Sequence, residues 1–299
     1  MAKEIIYENY KELKRAGIIK GATIHINYKS FGFKAVANLL ITVDPSQADR
    51  LIEYGYKIPD IYSVHSIGPA GNIRLVAAIK TFHQLDEIKD SIKQKFSITE
   101  IKTLIWTDVK EMHENLTISN PDPTKTVTEN TINQDRYLKS PVAHGKNEKL
   151  DKIDFQIAEK LSINGREPLS KMAQQIGIST NSIIKRYQKL KKNGVIKATI
   201  QIDPTKLGYH AIAVFFTAFT THADPTDIIK RISQIPDIIS IMKTSGDYDL
   251  QIFAMIKNID QLLDIREELT EIPGFAKMDI DITRILNKWP TPRQYISTF

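Results

Sequence analysis

Between Leu150 and Asn193, three runs of apolar residues at helical spacing follow one another, each closed by a turn former. Ile153, Ile157, Ala158 and Leu161 share one helical face and stop at Asn164-Gly165. Leu169, Met172, Ala173 and Ile176 form the second face, with Pro168 suited to its first turn and Gly177 to the left-handed position that ends it. Ile183, Tyr187 and Leu190 form the third, which Ser179 can cap and Asn193-Gly194 terminates. The spacing predicts three short helices, the last two joined by a tight glycine-containing turn. Beyond them the pattern changes to that of strands. Ala211 to Thr221 is β-branched or aromatic, and Asp224-Pro225 opens a helix with Ile228, Ile229 and Ile232 inward, closed by Pro236-Asp237. Ile238 to Met242 and Leu250 to Ile256 flank the turn Ser245-Gly246-Asp247, and a helix over Gln261 to Thr270 and a strand over Phe275 to Leu286 follow.

The chain repeats itself. Ile6, Tyr10, Leu13, Lys14, Gly17, Ile19 and Lys20 match Ile183, Tyr187, Leu190, Lys191, Gly194, Ile196 and Lys197 in order and spacing. After a one-residue adjustment at Gly21, Ala22-Thr23-Ile24 meets Ala198-Thr199-Ile200, and Ile58-Pro59-Asp60-Ile61 later meets Ile235-Pro236-Asp237-Ile238. Each copy reads strand, helix, strand, strand, helix, strand, the split βαβ order of a ferredoxin-like unit with helices on one sheet face. The predicted class is therefore α+β: a winged-type helix-turn-helix domain plus two ferredoxin-like βαββαβ sensor domains. The expected divisions are a residual recognition-like helix over 1–20, a first sensor over 21–116, a linker over 117–149 rich in Pro, Thr, Asn and Asp, the helix-turn-helix over 150–200 and a second sensor over 201–299. The open sheet faces need cover, either within the chain or between chains.

Charge sharpens the central block. Ten basic residues stand against four acidic ones from Leu150 to Lys197, a surplus equal to the whole chain's +6, and Ile178 to Lys197 holds six basic residues and no acidic one. Such a strip is the electrostatic footprint of a phosphate-binding element. On the third helix, Thr180, Asn181 and Lys185 near the amino end are expected to meet base edges. Ser182, Arg186 and Lys189 are better placed for phosphates, with Lys191 and Lys192 on the backbone alone and Ser179 at the cap. The chain has no cysteine, which removes disulfides and thiolate metal sites. Its seven histidines show no metal-ligand spacing, and no nucleophile elbow, phosphate loop or dinucleotide fingerprint occurs. No catalytic residue, cofactor or metal is expected. No apolar run reaches bilayer length and Met1 to Tyr10 has no signal core, so a cytoplasmic protein is expected.

Leu150-Asp151-Lys152-Ile153-Asp154, Asn164-Gly165-Arg166, Ile176-Gly177-Ile178-Ser179 and Gly194-Val195-Ile196, in this order, resemble the Lrp/AsnC family of transcription regulators. Pro236-Asp237-Ile238 followed by Gly246-Asp247-Tyr248-Asp249 is similar to the hallmark turn of that family's sensor domain. The resemblance covers Leu150 to Lys288 fully and Glu4 to Lys110 as a shortened, diverged copy. It implies double-stranded DNA as partner, an amino acid or other small metabolite as effector, contacted through Gly246, Asp247, Tyr248 and Asp249, and a homodimer or higher oligomer through the sensor domains. The first copy departs from the pattern. It begins at the equivalent of the recognition helix, Glu8 and Asn9 stand where the second copy has Lys185 and Arg186, and Gly68-Pro69-Ala70-Gly71-Asn72 replaces Ser245-Gly246-Asp247-Tyr248-Asp249. One working DNA reader per chain is expected, so a two-fold site requires at least two chains. Two alternatives share the architecture: an enzyme like the siroheme decarboxylases, and a metabolite sensor or assembly partner without DNA function. Against the first, Lys197-Ala198-Thr199 stands where an Arg-rich, Phe-Gly stretch would be expected.

Overall fold

The computed structural model describes residues 2–58, 61–66, 72–111 and 150–290. Pro59-Asp60, the first copy's Gly68 to Gly71, the expected linker over 117–149, and His113 and His144 lie outside the described residues. The chain opens with α1 (Ala2–Arg15) and β1 (Ile19–Ile26). The first sensor unit follows as β2 (Ala35–Val43), α2 (Ala48–Gly55), β3 (Ile61–Ser66), β4 (Ile73–Ile79), α3 (Phe82–Lys93) and β5 (Ile98–Glu111). The central block forms α4 (Lys152–Ile163), α5 (Leu169–Ile176) and α6 (Thr180–Lys192), then β6 (Ile196–Ile202). The second unit is β7 (Ala211–Phe219), α7 (Pro225–Ile232), β8 (Ile238–Ser245), β9 (Leu250–Ile256), α8 (Ile259–Thr270) and β10 (Phe275–Arg284). None of the described helices is long and apolar enough to cross a membrane.

Within each unit, alternate strand residues face opposite ways and build two different interfaces. Ala37, Leu39 and Ile41 of β2 turn toward α2 and α3, and Ala213 and Phe215 of β7 toward α7 and α8, closing two separate helix-on-sheet cores. The intervening residues face the other sheet. Leu40 and Leu104 meet Val214, Phe216 and Tyr248 in a cluster shared by the two units, each apolar side chain contributing roughly 1.5–3 kcal/mol on full burial. At the same interface the Asn38 side-chain amide donates to the Gln251 carbonyl oxygen across 2.5 Å, and Arg74 lies over the Phe253 ring. The sheets are also joined edge to edge, because β5 pairs antiparallel with β8 to give one eight-stranded order, β10-β7-β9-β8-β5-β2-β4-β3. The open faces, which the sequence leaves free to pair within or between chains, pair within this chain.

A two-stranded ribbon, which the sequence pattern does not reveal, sits outside that sheet. β1 pairs antiparallel with β6, and Thr23 stands opposite Thr199, its own counterpart in the internal repeat. The two copies thus meet about a pseudo-two-fold axis. Lys102 and Asp279 are counterparts too. Burial pushes the Asp279 carboxyl up, yet Lys277, Tyr248 and, from the other unit, Lys102 together hold it below the usual carboxylate range. Where a symmetric pair would set like charges together, the duplicated chain sets opposite ones, which favours pairing of unlike units. Thr23 also ties the ribbon to the helical block, its hydroxyl donating to the Ser162 carbonyl at 2.7 Å, while the Gly165 amide donates to the Ala22 carbonyl at 2.8 Å. Phe31 meets Phe155 edge to face at 5.1 Å, so the helical block shares one core with the first unit.

Candidate nucleic-acid interface

Local chemistry sets each helix of the block. Asp151 caps α4 by accepting from Ile153 and Asp154, while the Asp154 carboxylate reaches back to the Asp151 amide, satisfying otherwise orphaned donors in both directions. Pro168 precedes α5, and Gly177 ends it in the left-handed conformation at φ 82°, which turns the chain sharply enough for α6 to begin three residues later. Ser179 caps α6 by accepting from the Ser182 amide at 3.2 Å, and the two serine hydroxyls lie 2.9 Å apart. Ile183 and Leu190 anchor α6 against Ile157, Ala158 and Leu161 of α4 and Met172 and Ala173 of α5.

With that face buried, the helical turn of about 100° per residue decides which side chains look outward. Asn181, Lys185, Gln188 and Lys192 form one exposed stripe opposite Ile183 and Leu190, flanked by exposed Ser182 and Lys189. Thr180 is half-buried at the helix start. Gln188 belongs to none of the contacts expected from sequence, and Lys192 is expected there at the DNA backbone alone. Counting the angle from Ile183 places both on the same stripe as Lys185. Asparagine and glutamine amides can pair with adenine edges, and lysines with guanine edges or phosphates, so the stripe carries both kinds of contact.

Arg186 departs from its expected role. Its Nη1 lies 2.8 Å from Asp151 and 2.8 Å from Asp154, on the side of α6 that faces α4. It locks the recognition helix to its support rather than reaching out. Burial pushes the Asp151 carboxyl up, but the Asp154 amide and Arg186 outweigh it and hold the carboxyl below the usual range. A depressed carboxylate adds stability that is complete above its unfolded pKa of about 3.9 and is lost as pH falls through the folded value. Thermal melts of the chain are expected to show a loss of helical-block stability on acidification below about pH 4 that shrinks in Arg186→Ala. An unchanged acid response in that variant would remove Arg186 from this role.

The second expected site, the turn after β8, is mostly committed to the fold. Asp249 accepts the Phe219 amide at 2.7 Å. Tyr248 is buried against Phe216, and its hydroxyl bonds Asp279 and, at 3.0 Å, Lys277. Gly246, at φ 145°, passes so close to β5 that a Cβ there would lie 2.6 Å from the Thr103 carbonyl oxygen. Gly246 and Asp247 are the exposed members of the four, and of these only Asp247 carries a side chain that can meet a ligand. The neighbouring Asp237 is structural as well. It takes a positive φ of 61° and accepts from the Tyr209 hydroxyl at 2.5 Å and the Gln261 amide at 2.6 Å, joining β7's approach to α8.

Two family models match this half of the molecule: the AsnC-type helix-turn-helix domain over 150–191, which ends within α6, and the Lrp/AsnC ligand binding domain over 213–283. The HTH-type transcriptional regulator FL11 of Pyrococcus horikoshii is 32% identical over 126 residues, spanning 42% of this chain and 83% of the relative. The chain belongs to the Lrp/AsnC family. The HTH-type transcriptional regulator LysM of Saccharolobus solfataricus is 30% identical over 144 residues, or 48% of this chain and 98% of LysM. Each relative thus accounts for less than half of this family member. A likeness over nearly the whole length comes from the crystal structure of the siroheme decarboxylase NirDL, with a TM-score of 0.64 across 97% of this chain and 83% of that one. At 12% identity that likeness concerns the fold alone.

Proposed function

We propose that this Lrp/AsnC-family chain is a cytoplasmic, non-enzymatic transcription regulator that sets α6 in the major groove of double-stranded DNA. The observation that carries this is the outward stripe Asn181, Lys185, Gln188 and Lys192, held on a capped, well-anchored helix with no acidic residue from Ile178 to Lys197. A groove about 12 Å wide admits such a helix, and side chains on its exposed face then meet base edges while flanking lysines take phosphates. The paired sensor units carry the response to an amino acid or other small metabolite, with Asp247 as the ligand contact from the β8–β9 turn. Because the open faces of the two sheets are already paired within the chain, association of two chains on a two-fold operator has to use other surfaces.

Mobility-shift assays of the full chain against a pool of short genomic duplexes test the DNA function. Retention of a subset of sequences over bulk competitor is the expected result, and no retention at low salt would overturn it. The whole-length likeness to NirDL gives a second reading, that of a siroheme-decarboxylating enzyme without DNA function. Incubation with siroheme separates the two. Retained porphyrin absorbance with loss of carbon dioxide favours the enzyme, whereas no spectral change together with duplex retention favours the regulator.

A further inference from the structure

Beside α2 the first sensor unit holds a recess of about 350 Å³, lined by Arg50, Glu53, Tyr54 and Lys57 from that helix and its end and by Lys95 and Phe96 from the α3–β5 connection. That volume lies at the small end of the range, about 300–1,000 Å³, in which proteins hold small molecules. One wall is aromatic, because Phe96 is buried, Tyr54 is half-buried, and their ring centres lie 5.6 Å apart. The rim is cationic. Arg50, Lys57 and Lys95 are exposed, and Lys95 Nζ rests 4.2 Å from the centre of the Tyr54 ring. Among the described residues none of these three cations pairs with a carboxylate, and Glu53 is the single acidic group of the lining. The internal repeat supplies the comparison. Arg50 and Tyr54 correspond to Asp227 and Arg231, which satisfy each other at 2.7 Å across one helical turn, and Lys57 and Lys95 correspond to Gln234 and Ile272. The second unit neutralises its own charge at this place. The first gathers cations there and leaves them unmatched, a repulsion that an anion in the recess relieves.

We propose that this recess binds a nucleoside monophosphate, a small ligand that joins a planar ring, a hydroxylated sugar and a phosphate. The phosphate meets Arg50 and Lys57, whose guanidinium and ammonium groups make charge-assisted hydrogen bonds to its oxygens. Lys95 stands on a flexible four-carbon stem and reaches the same phosphate by leaving the Tyr54 face, which the ligand's ring then takes by stacking. Glu53 decides between a nucleotide and a bare anion. A carboxylate in the lining repels inorganic phosphate, whereas it accepts hydrogen bonds from sugar hydroxyls. The recess is formed by other elements than the β8–β9 turn that carries Asp247, so the proposal goes beyond the effector contact placed there and does not rest on it. Because the recess is open to solvent, a dissociation constant of about 0.1 mM is expected.

Isothermal titration calorimetry of the full chain without DNA tests this, with the four ribonucleoside 5′-monophosphates, inorganic phosphate and adenosine as separate titrants. At least one nucleotide is expected to bind about tenfold or more tightly than either inorganic phosphate or adenosine, since each of those lacks half of the contacts. Arg50→Gln with Lys57→Gln is expected to weaken that binding about tenfold or more. Both side chains are exposed, so the pair can change without disturbing a core. Lys29→Gln with Lys93→Gln removes the same charge from exposed positions outside the recess and is expected to leave the affinity within about twofold. No binding of any nucleotide, equal affinity for inorganic phosphate, or equal losses from the two double variants would each overturn the proposal. Anisotropy on a short duplex separates a free nucleotide from DNA as the source of the phosphate. Arg50→Gln with Lys57→Gln is expected to leave duplex affinity within about twofold, and a parallel tenfold fall would make the recess a DNA contact instead. The calorimetry uses no duplex, so its failure would leave the reading of α6 standing.

Discussion

Lys185→Glu is expected to weaken binding to a cognate duplex by roughly 10- to 100-fold and to flatten the salt dependence by about one counterion, because one contact is lost and a repulsive charge replaces it. The side chain is exposed in the middle of the outward stripe of α6, so the substitution leaves the helix's anchors, Ile183 and Leu190, in place. Its counterpart in the repeat, Glu8, serves as the internal control. That carboxylate sits on α1, which the described residues do not equip with the support that α4 and α5 give α6, and it pairs with Lys11 in its own helix. Glu8→Ala is therefore expected to leave DNA affinity within about twofold. Anisotropy titrations of both variants on one duplex make the comparison, and equal losses would mean that α6 is not the sole reader.

Gly246→Ala is expected to produce the largest loss of stability of any single methyl addition discussed. At φ 145° a side chain is strained whatever the space, and here the nearest obstacle is the backbone of the other unit, Thr103 O at 2.6 Å, with Leu104 Cδ2 at 2.8 Å. Backbone atoms of a paired strand cannot swing aside as the end of a lysine can. The methyl group must therefore lift the β8–β9 turn from β5, opening the seam where the two sheets join. Strain and overpacking together are expected to cost about 3–5 kcal/mol, read as a lower melting temperature and a looser near-ultraviolet circular dichroism spectrum. A variant that melts like the wild type would show that the turn does not pack on β5 as described.

Much of the architecture is legible in the sequence because it depends on local signals. Apolar spacing, Ser179 at a cap and Gly177 at a left-handed end fix the three helices without reference to anything distant. The duplicated strand and helix order likewise follows from turn formers and period. What escapes is whatever depends on tertiary neighbours. The β1–β6 ribbon joins segments about 170 residues apart, and its register becomes visible only when Thr23 and Thr199 face each other. Arg186 looks like a phosphate contact in a basic run, yet its angular position turns it to Asp151 and Asp154 at the start of α4. Tyr248 and Asp249, grouped with an effector by resemblance, make bonds within the fold that no local pattern announces. Gln188 was legible all along, since counting helical angle from Ile183 is enough to put it beside Lys185.

In the proposed function one cationic helix face reads DNA while the paired sensor units hold it in place. Fluorescence anisotropy of the full chain on a selected short duplex, titrated over a range of salt concentrations, tests it most directly. Binding is expected to weaken steeply with salt, with a logarithmic slope of about −3 or steeper as several lysines release phosphate counterions. Binding indifferent to salt, or no binding at low salt, would contradict it.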